Sequence, residues 1–232
     1  MPLKKWIKST NFAIEGVLHA ARNQRHVRYH LFSAAFVLII SYVLGISKTD
    51  FLIISLTVIT VLLAEFLNTS IEAVVDLLSP GHHHKAKIAK DVAAGAVLIT
   101  AFGAAIIGYI VLAPPISKAL KEGFHIAKHS IEEVAIAALI LVLILVVISK
   151  SYFGKGTPLS GGMPSGHSAL AFSIWVTVTY LTGSVTVSVL CFVLASFVAS
   201  SRIASGIHNT WEVILGGIMG AALTWLLFGI FS

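Results

Sequence analysis

Seven runs of apolar residues, at 29–46, 51–78, 92–113, 131–149, 168–182, 185–199 and 213–231, take up most of this 232-residue chain and decide what it can fold into. Crossing the hydrocarbon takes about 20 predominantly apolar residues in a helix, because no water is there to satisfy free backbone groups. Only 11% of residues are charged and 57% are hydrophobic, with a mean hydropathy of +0.93, whereas soluble domains are about 25% charged. The expectation is an all-α membrane protein with about seven transmembrane helices. The fifth and sixth runs are short and are joined through Gly183-Ser184 alone, so one re-entrant hairpin is the alternative to two full spans.

Residues 1–30 are basic and carry Trp6, Ile7, Phe12, Ile14, Val17 and Leu18 at near-helical spacing, with no small-residue cleavage pattern. They read as an N-terminal amphipathic helix lying in the interface, not as a signal peptide. The net charge of +6 comes mostly from Lys4, Lys5, Lys8, Arg22, Arg25 and Arg28 before the first run and Lys85, Lys87 and Lys90 after the second. The positive-inside rule puts both segments, and the N-terminus, in the cytoplasm. By parity the loop 150–167 and His208 share that side. This basic balance suits anionic headgroups and phosphates, and no basic and aromatic surface offers a place for nucleic acid. Cys191, the single cysteine, lies inside an apolar run and reads as packing.

Pro114-Pro115 and the charged segment after them interrupt the hydrophobic pattern. They divide the chain into a three-span domain at 1–114, a linker at 115–130 and a four-span domain at 131–232. No repeat relates the halves, so the arrangement reads as a fusion and not a duplication.

In the first half, Glu65, Asn68, Glu72 and Asp76 sit in the second apolar run. At about 100° per residue they fall on one narrow stripe of a helix. A carboxylate at the bilayer centre costs about 2.5–3.5 kcal/mol on insertion scales, so such a stripe has to pair, bind a cation or line a wet cavity. Three readings are open: a packing network, an ion or proton pathway, or a site for a magnesium nucleotide, since hard cations take carboxylate oxygens. Lys90-Asp91, close to the membrane surface, could add a phosphate contact. His82-His83-His84 reads as a solvated turn, with a metal tract as the alternative.

These residues resemble a known family. Gly16 with Asn23, Gln24, Arg25, Arg28 and His30, then Glu65-x-x-Asn68-x-x-x-Glu72-x-x-x-Asp76, then Lys90-Asp91-x-Ala93-Ala94-Gly95, look like the prokaryotic diacylglycerol kinase and undecaprenol kinase family over about residues 10–113. The resemblance implies a bacterial inner-membrane, multi-pass, homo-oligomeric enzyme, a trimer with composite sites, using magnesium and ATP to phosphorylate a lipid alcohol. It makes Glu65 the general base, Glu72 a metal ligand with Gln24, and Asn68, Asp76, Lys90 and Asp91 part of the nucleotide and substrate site. Gln24 stands where many members have a glutamate, which removes one negative charge from the metal site.

In the second half, Pro164-Ser165-Gly166-His167 precedes an apolar run, so Ser165 is a candidate N-cap and the amides after it form an anion site. Gly166 would let a phosphate approach the backbone closely. Arg202 and His208 follow the sixth run, and a helix starting near Asn209 would set Glu212 one turn from His208, able to accept its ring N–H and leave the other nitrogen nucleophilic. The plain alternative is a pair of structural histidines at the interface. The pieces resemble the type 2 phosphatidic acid phosphatase superfamily over residues 131–232: a first motif from Lys150 to Pro158, a complete Pro164-Ser165-Gly166-His167, and Ser201-Arg202-x5-His208-x3-Glu212. That resemblance implies attack by His208 on phosphorus, protonation of the leaving group by His167, and binding of phosphate oxygens by Lys150, Ser165, Gly166 and Arg202, with no cofactor. Thr157 replaces the superfamily's arginine, with Lys155 nearby, and Glu212 replaces its aspartate.

The sequence therefore points to a bifunctional membrane lipid enzyme, a kinase joined to a lipid phosphate or pyrophosphate phosphatase. The alternatives are a phosphatase with a kinase-like scaffold for oligomerisation, and a non-enzymatic lipid or ion transporter.

Overall fold

The computed structural model describes residues 2–81, 83–123, 125–153 and 162–232. Among them it has eight helices and no strand: α1 (Pro2–Asn23), α2 (Arg25–Val43), α3 (Lys48–Leu78), α4 (His84–Glu122), α5 (Ile131–Phe153), α6 (Gly166–Thr182), α7 (Val185–Ala204) and α8 (Thr210–Phe231). Six of them, α2, α3, α4, α5, α7 and α8, are long and apolar enough to cross a membrane. The protein is a multi-pass membrane protein. α6, with 17 residues, is at the lower limit of a span. The chain divides into two compact units, Met1–Leu18 with Lys128–Ser232, and His19–Ala127.

The single helix expected over residues 1–30 is broken at Gln24. Gln24 adopts an extended conformation (φ −101°, ψ 119°) and ends α1. The Arg28 guanidinium donates to the carbonyls of Arg22 (2.6 Å) and Ala21 (3.4 Å), satisfying groups that a helix C-terminus leaves open. α2 then starts at Arg25, a turn before the first apolar run. Ser47 caps α3 by accepting from the Asp50 amide at 3.1 Å, and Asp50 in the first turn complements the helix dipole.

α3 packs against both α2 and α4. Its buried positions are Ile54, Val61 and Glu65, one face at helical spacing, so the apolar seam runs directly into the acid stripe. At 31 residues α3 is about 46 Å long, well beyond the roughly 30 Å of hydrocarbon. A crossing that began at Phe51 would end near residue 70, which would leave Glu65 inside the apolar layer and Glu72 and Asp76 at headgroup level. The side chains facing away from the seam are exposed and apolar, Leu98 and Ile99 at 70% and 74% among them, as a lipid-facing surface requires.

Pro114 and Pro115 do not end α4, which continues to Glu122. Proline within a membrane helix is tolerated where its lost hydrogen bonds are locally compensated. The residues that follow, Ser117-Lys118-Ala119-Leu120-Lys121-Glu122, are mostly good helix formers, with Lys118 and Glu122 one turn apart and paired at 4.0 Å. The helical break comes at Gly123 (φ 92°).

In the unit that contains Lys128–Ser232, α8 packs against α5, α6 and α7. Gly216 and Gly220 are both buried. A Cβ on either would collide with α6 backbone, the Ser165 carbonyl at Gly216 and the Ala169 carbonyl at Gly220. The two glycines thus allow backbone-to-backbone contact of α8 with α6. Ser173 and Thr224, fully buried, hydrogen-bond across the same interface at 2.7 Å. Val142 and Val146 of α5 close the core against Ala169. α6 and α7 are separate helices joined at Gly183, whose φ of 59° makes the turn, and Ser184 caps α7.

Candidate functional site

Each unit has its own cluster of polar groups. In the kinase-like unit, Glu65 is 4% exposed, and His30 Nε2 lies 3.9 Å from its Oε2. One turn on, Asn68 Nδ2 donates to Glu72 Oε1 at 3.1 Å. Asn68 Oδ1 is buried and has no hydrogen-bond partner. An unpaired buried acceptor next to a carboxylate is costly unless something fills it, and hard cations take this oxygen donor set, so the residues present fit magnesium. Lys90 of α4 donates to both carboxylate oxygens of Asp76 on α3, at 3.0 and 3.2 Å, which ties the two helices together at the end of the acid stripe.

Asp91 pairs with Lys87 of its own helix at 2.6 Å, and Gln24 is the exposed N-cap of α2, with no side-chain cap bond. Among the described residues no three His, Cys, Asp or Glu side chains form a metal cluster. His83 is the N-cap of α4, and His82 lies outside the described residues.

In the second unit the site is built on two helix N-termini held together. Ser165, fully buried, caps α6, its hydroxyl accepting from the Ser168 amide at 3.5 Å. Its own amide donates to the Glu212 carbonyl of α8 at 2.9 Å, next to the Gly216 contact. The Met163–Pro164 bond leading into the cap is cis. Asn209 caps α8: its side chain accepts from the Glu212 amide at 2.9 Å, while Glu212 Oε2 accepts from the Asn209 amide at 3.3 Å, a reciprocal capping box.

The same Glu212 oxygen is 2.8 Å from His208 Nδ1, and the His208 side chain is 2% exposed. A carboxylate can only accept, so Nδ1 is the donor in this contact, and in the neutral ring Nε2 is the nitrogen with the free lone pair. The His208 amide donates to the Arg202 carbonyl at 3.2 Å, after Gly206 (φ 67°) turns the chain from α7. His167 is exposed in the first turn of α6, and Lys150, 5% exposed, lies in the last turn of α5. Thr157 and Lys155 lie outside the described residues.

Comparison with known proteins supplies the family. Residues 11–112 match the prokaryotic diacylglycerol kinase family, and residues 148–232 match the PAP2 superfamily. The undecaprenol kinase of Bacillus subtilis (strain 168) is 38% identical over 112 residues, 48% of this chain and 91% of that protein. The chain belongs to the prokaryotic diacylglycerol kinase family. With its PAP2 superfamily domain it is a fusion of the two in one polypeptide. The kinase domain is also 40% identical to a diacylglycerol kinase of Synechocystis over 109 residues, a match that spans 62% of that relative. It is 29% identical to a diacylglycerol kinase of Haemophilus influenzae over 93 residues, 79% of that relative and 40% of this chain. No solved structure matches the chain.

Two residues of these clusters were not assigned a role from sequence. His30 of the kinase domain reaches Glu65 only through the packing of α2 on α3, which no local pattern reports. Asn209 of the PAP2 domain was legible: Asn-x-x-Glu ahead of an apolar run is a capping signature.

Proposed function

We propose that the chain is a bifunctional membrane lipid enzyme. Its kinase half moves the γ-phosphoryl group of ATP to a lipid alcohol, undecaprenol or diacylglycerol, and its PAP2 half hydrolyses a lipid phosphate or pyrophosphate. The observation that carries this reading is that each unit holds its own cluster of polar groups, one acidic along α3 and one at the N-termini of α6 and α8, where His208 is paired with Glu212.

In the kinase half, Glu65 takes the proton of the lipid hydroxyl as its oxygen bonds to phosphorus and ADP departs. Glu72 and Asn68, with Gln24, would hold magnesium, which when bound neutralises phosphate charge. Lys90, held by Asp76, would contact phosphate oxygens, with Asp91 next to it in the chain. Members of such a family with composite sites would form a homo-oligomer, a trimer here.

In the PAP2 half, His208 Nε2 bonds to phosphorus and the P–O bond to the leaving group breaks, with His167 giving that oxygen a proton. Water then attacks the phosphohistidine, His167 takes its proton, and phosphate leaves with His208 restored. Arg202, Lys150, Ser165 and the amides at Gly166 offset charge on the nonbridging oxygens. Glu212 stabilises the His208 imidazolium form as it develops.

The test is a pair of variants assayed for both reactions. Glu65→Gln abolishes label transfer from magnesium ATP to undecaprenol or diacylglycerol and spares phosphate release from lipid phosphates. His208→Ala does the reverse. Wild type that labels neither alcohol refutes the kinase assignment, and phosphate release that survives in His208→Ala refutes the phosphatase one.

A further inference from the structure

A cleft of about 490 Å³ opens between α6, α7 and α8, with Phe172, Trp175, Ala199, Ile203, Gly217 and Ala221 on its walls, within the usual size range of small-molecule sites. Its lining includes Ile203 and Val213, the chain neighbours of Arg202 and Glu212, so one end of it lies close to the proposed phosphate pocket. From there it follows α8 as far as Ala221 and α7 back to Ser196, about 10–12 Å at 1.5 Å per residue. That length takes about ten bonds of an extended hydrocarbon chain, each somewhat shorter in projection than its roughly 1.5 Å length.

The lining is apolar in effect as well as in composition. The hydroxyls of Ser196 and Ser200 donate to carbonyls of their own helix, Phe192 at 2.9 Å and Phe197 at 3.0 Å, so an apolar guest leaves no polar group unsatisfied. The walls are also pre-formed. Trp175 Nε1 donates to Ser188 at 3.1 Å, and the Trp175 ring packs edge-on to Phe172 and Phe192, with centroids 6.0 and 4.9 Å away. Gly217 keeps the floor open, since a Cβ there would come within 3.1 Å of the Phe172 ring.

We propose that this cleft holds the first ten or so carbons of the lipid phosphate's hydrocarbon chain, a single chain, and aligns its phosphate with His208. The proposal rests on the phosphatase reading above and adds the substrate class: lipids that enter by one chain, of the polyprenyl type, in preference to two-chained glycerolipids. Bilayer tails are as apolar as the lining, so moving a chain into the cleft gains little hydrophobic free energy. Its contribution is orientation and shape selection, which appear in turnover as well as in binding.

The experiment compares hydrolysis of a long single-chain polyprenyl phosphate, a two-chain phosphatidate and soluble phenyl phosphate by the full chain and by Ala221→Phe and Gly217→Val. The ratio of kcat/KM for polyprenyl phosphate to that for phenyl phosphate falls about tenfold or more in Ala221→Phe, the scale of filling a hydrophobic pocket. Polyprenyl phosphate is preferred over phosphatidate by wild type. Variants that keep the wild-type ratio, or a wild type that favours phosphatidate, overturn the proposal while leaving the phosphatase standing. A wild type that hydrolyses none of the three fails at the phosphatase itself. A diazirine placed within ten carbons of a polyprenyl phosphate should label peptides of α6, α7 and α8. Equal labelling by a diazirine phosphatidylcholine identifies bulk lipid as the occupant, and a cross-link to a second copy identifies an oligomer contact; either overturns the proposal.

Discussion

Replacing Gly220 with alanine adds one methyl group to the interface on which the whole phosphate pocket depends. That Cβ would fall 2.7 Å from the Ala169 carbonyl carbon and 2.9 Å from its Cα, and closer still to the carbonyl oxygen. All three are backbone atoms, so no rotamer change relieves the clash, and α6 and α8 have to part by about 1 Å. Overpacking of this kind costs about 1–3 kcal/mol. The larger effect is on chemistry. The bond from the Ser165 amide to the Glu212 carbonyl, 2.9 Å in the native protein, stretches past hydrogen-bonding range. Ser165 and the amides at Gly166 then move away from the His208–Glu212 pair. A displacement of about 1 Å costs on the order of 100-fold in rate. The assay is phosphate release from a lipid phosphate, with lipid phosphorylation by the same preparation as the check that the chain inserted and folded. Gly229→Ala on the same helix is the control, because nothing lies within 4 Å of its added Cβ, and it stays within about 0.5 kcal/mol and the native rate. If Gly220→Ala releases phosphate as fast as wild type, the pocket does not depend on backbone contact between α6 and α8.

Two further substitutions probe the departures from the families' patterns. Gln24→Glu adds a carboxylate to the expected metal site and lowers the magnesium concentration for half-maximal phosphorylation; an unchanged magnesium titration removes Gln24 from that site. Glu212→Asp restores the superfamily's residue yet slows phosphate release. It shortens the side chain by one bond of about 1.5 Å, stretching the 2.8 Å contact to His208 Nδ1 beyond hydrogen-bonding range, and faster release by this variant would contradict the geometry.

Much of the helix layout could be read from apolar run length, because backbone groups in hydrocarbon have no partner except the helix itself. The caps at Ser165 and Asn209 were legible for a similar reason: they depend on residues within one turn. The break at Gln24 was not, since it rests on the Arg28 guanidinium reaching back to Ala21 and Arg22. Nor was the passage of α4 through Pro114 and Pro115, where the proline pair suggested an end and the helix formers after it carried the helix on. Two glycines four residues apart in an apolar run, as at Gly216 and Gly220, signal close helix contact in general but do not name the partner. The apolar cleft was invisible along the chain, because its walls come from three helices and are apolar for the same reason as any lipid-facing surface. On the kinase side the acid stripe could be located, while its pairing with His30 and Lys90 needed α2 and α4 in place.

The shortness of α6 has a consequence for how a substrate meets this protein. Its 17 residues rise about 25 Å, some 5 Å less than an average hydrocarbon layer, and its first turn is the floor of the phosphate pocket. Bilayers accommodate a short helix by thinning around it, at a fraction of a kcal/mol per ångström. A leaflet thinned there would bring headgroups closer to the first turn of α6, and phosphate release would then be expected to vary with the thickness of the surrounding bilayer.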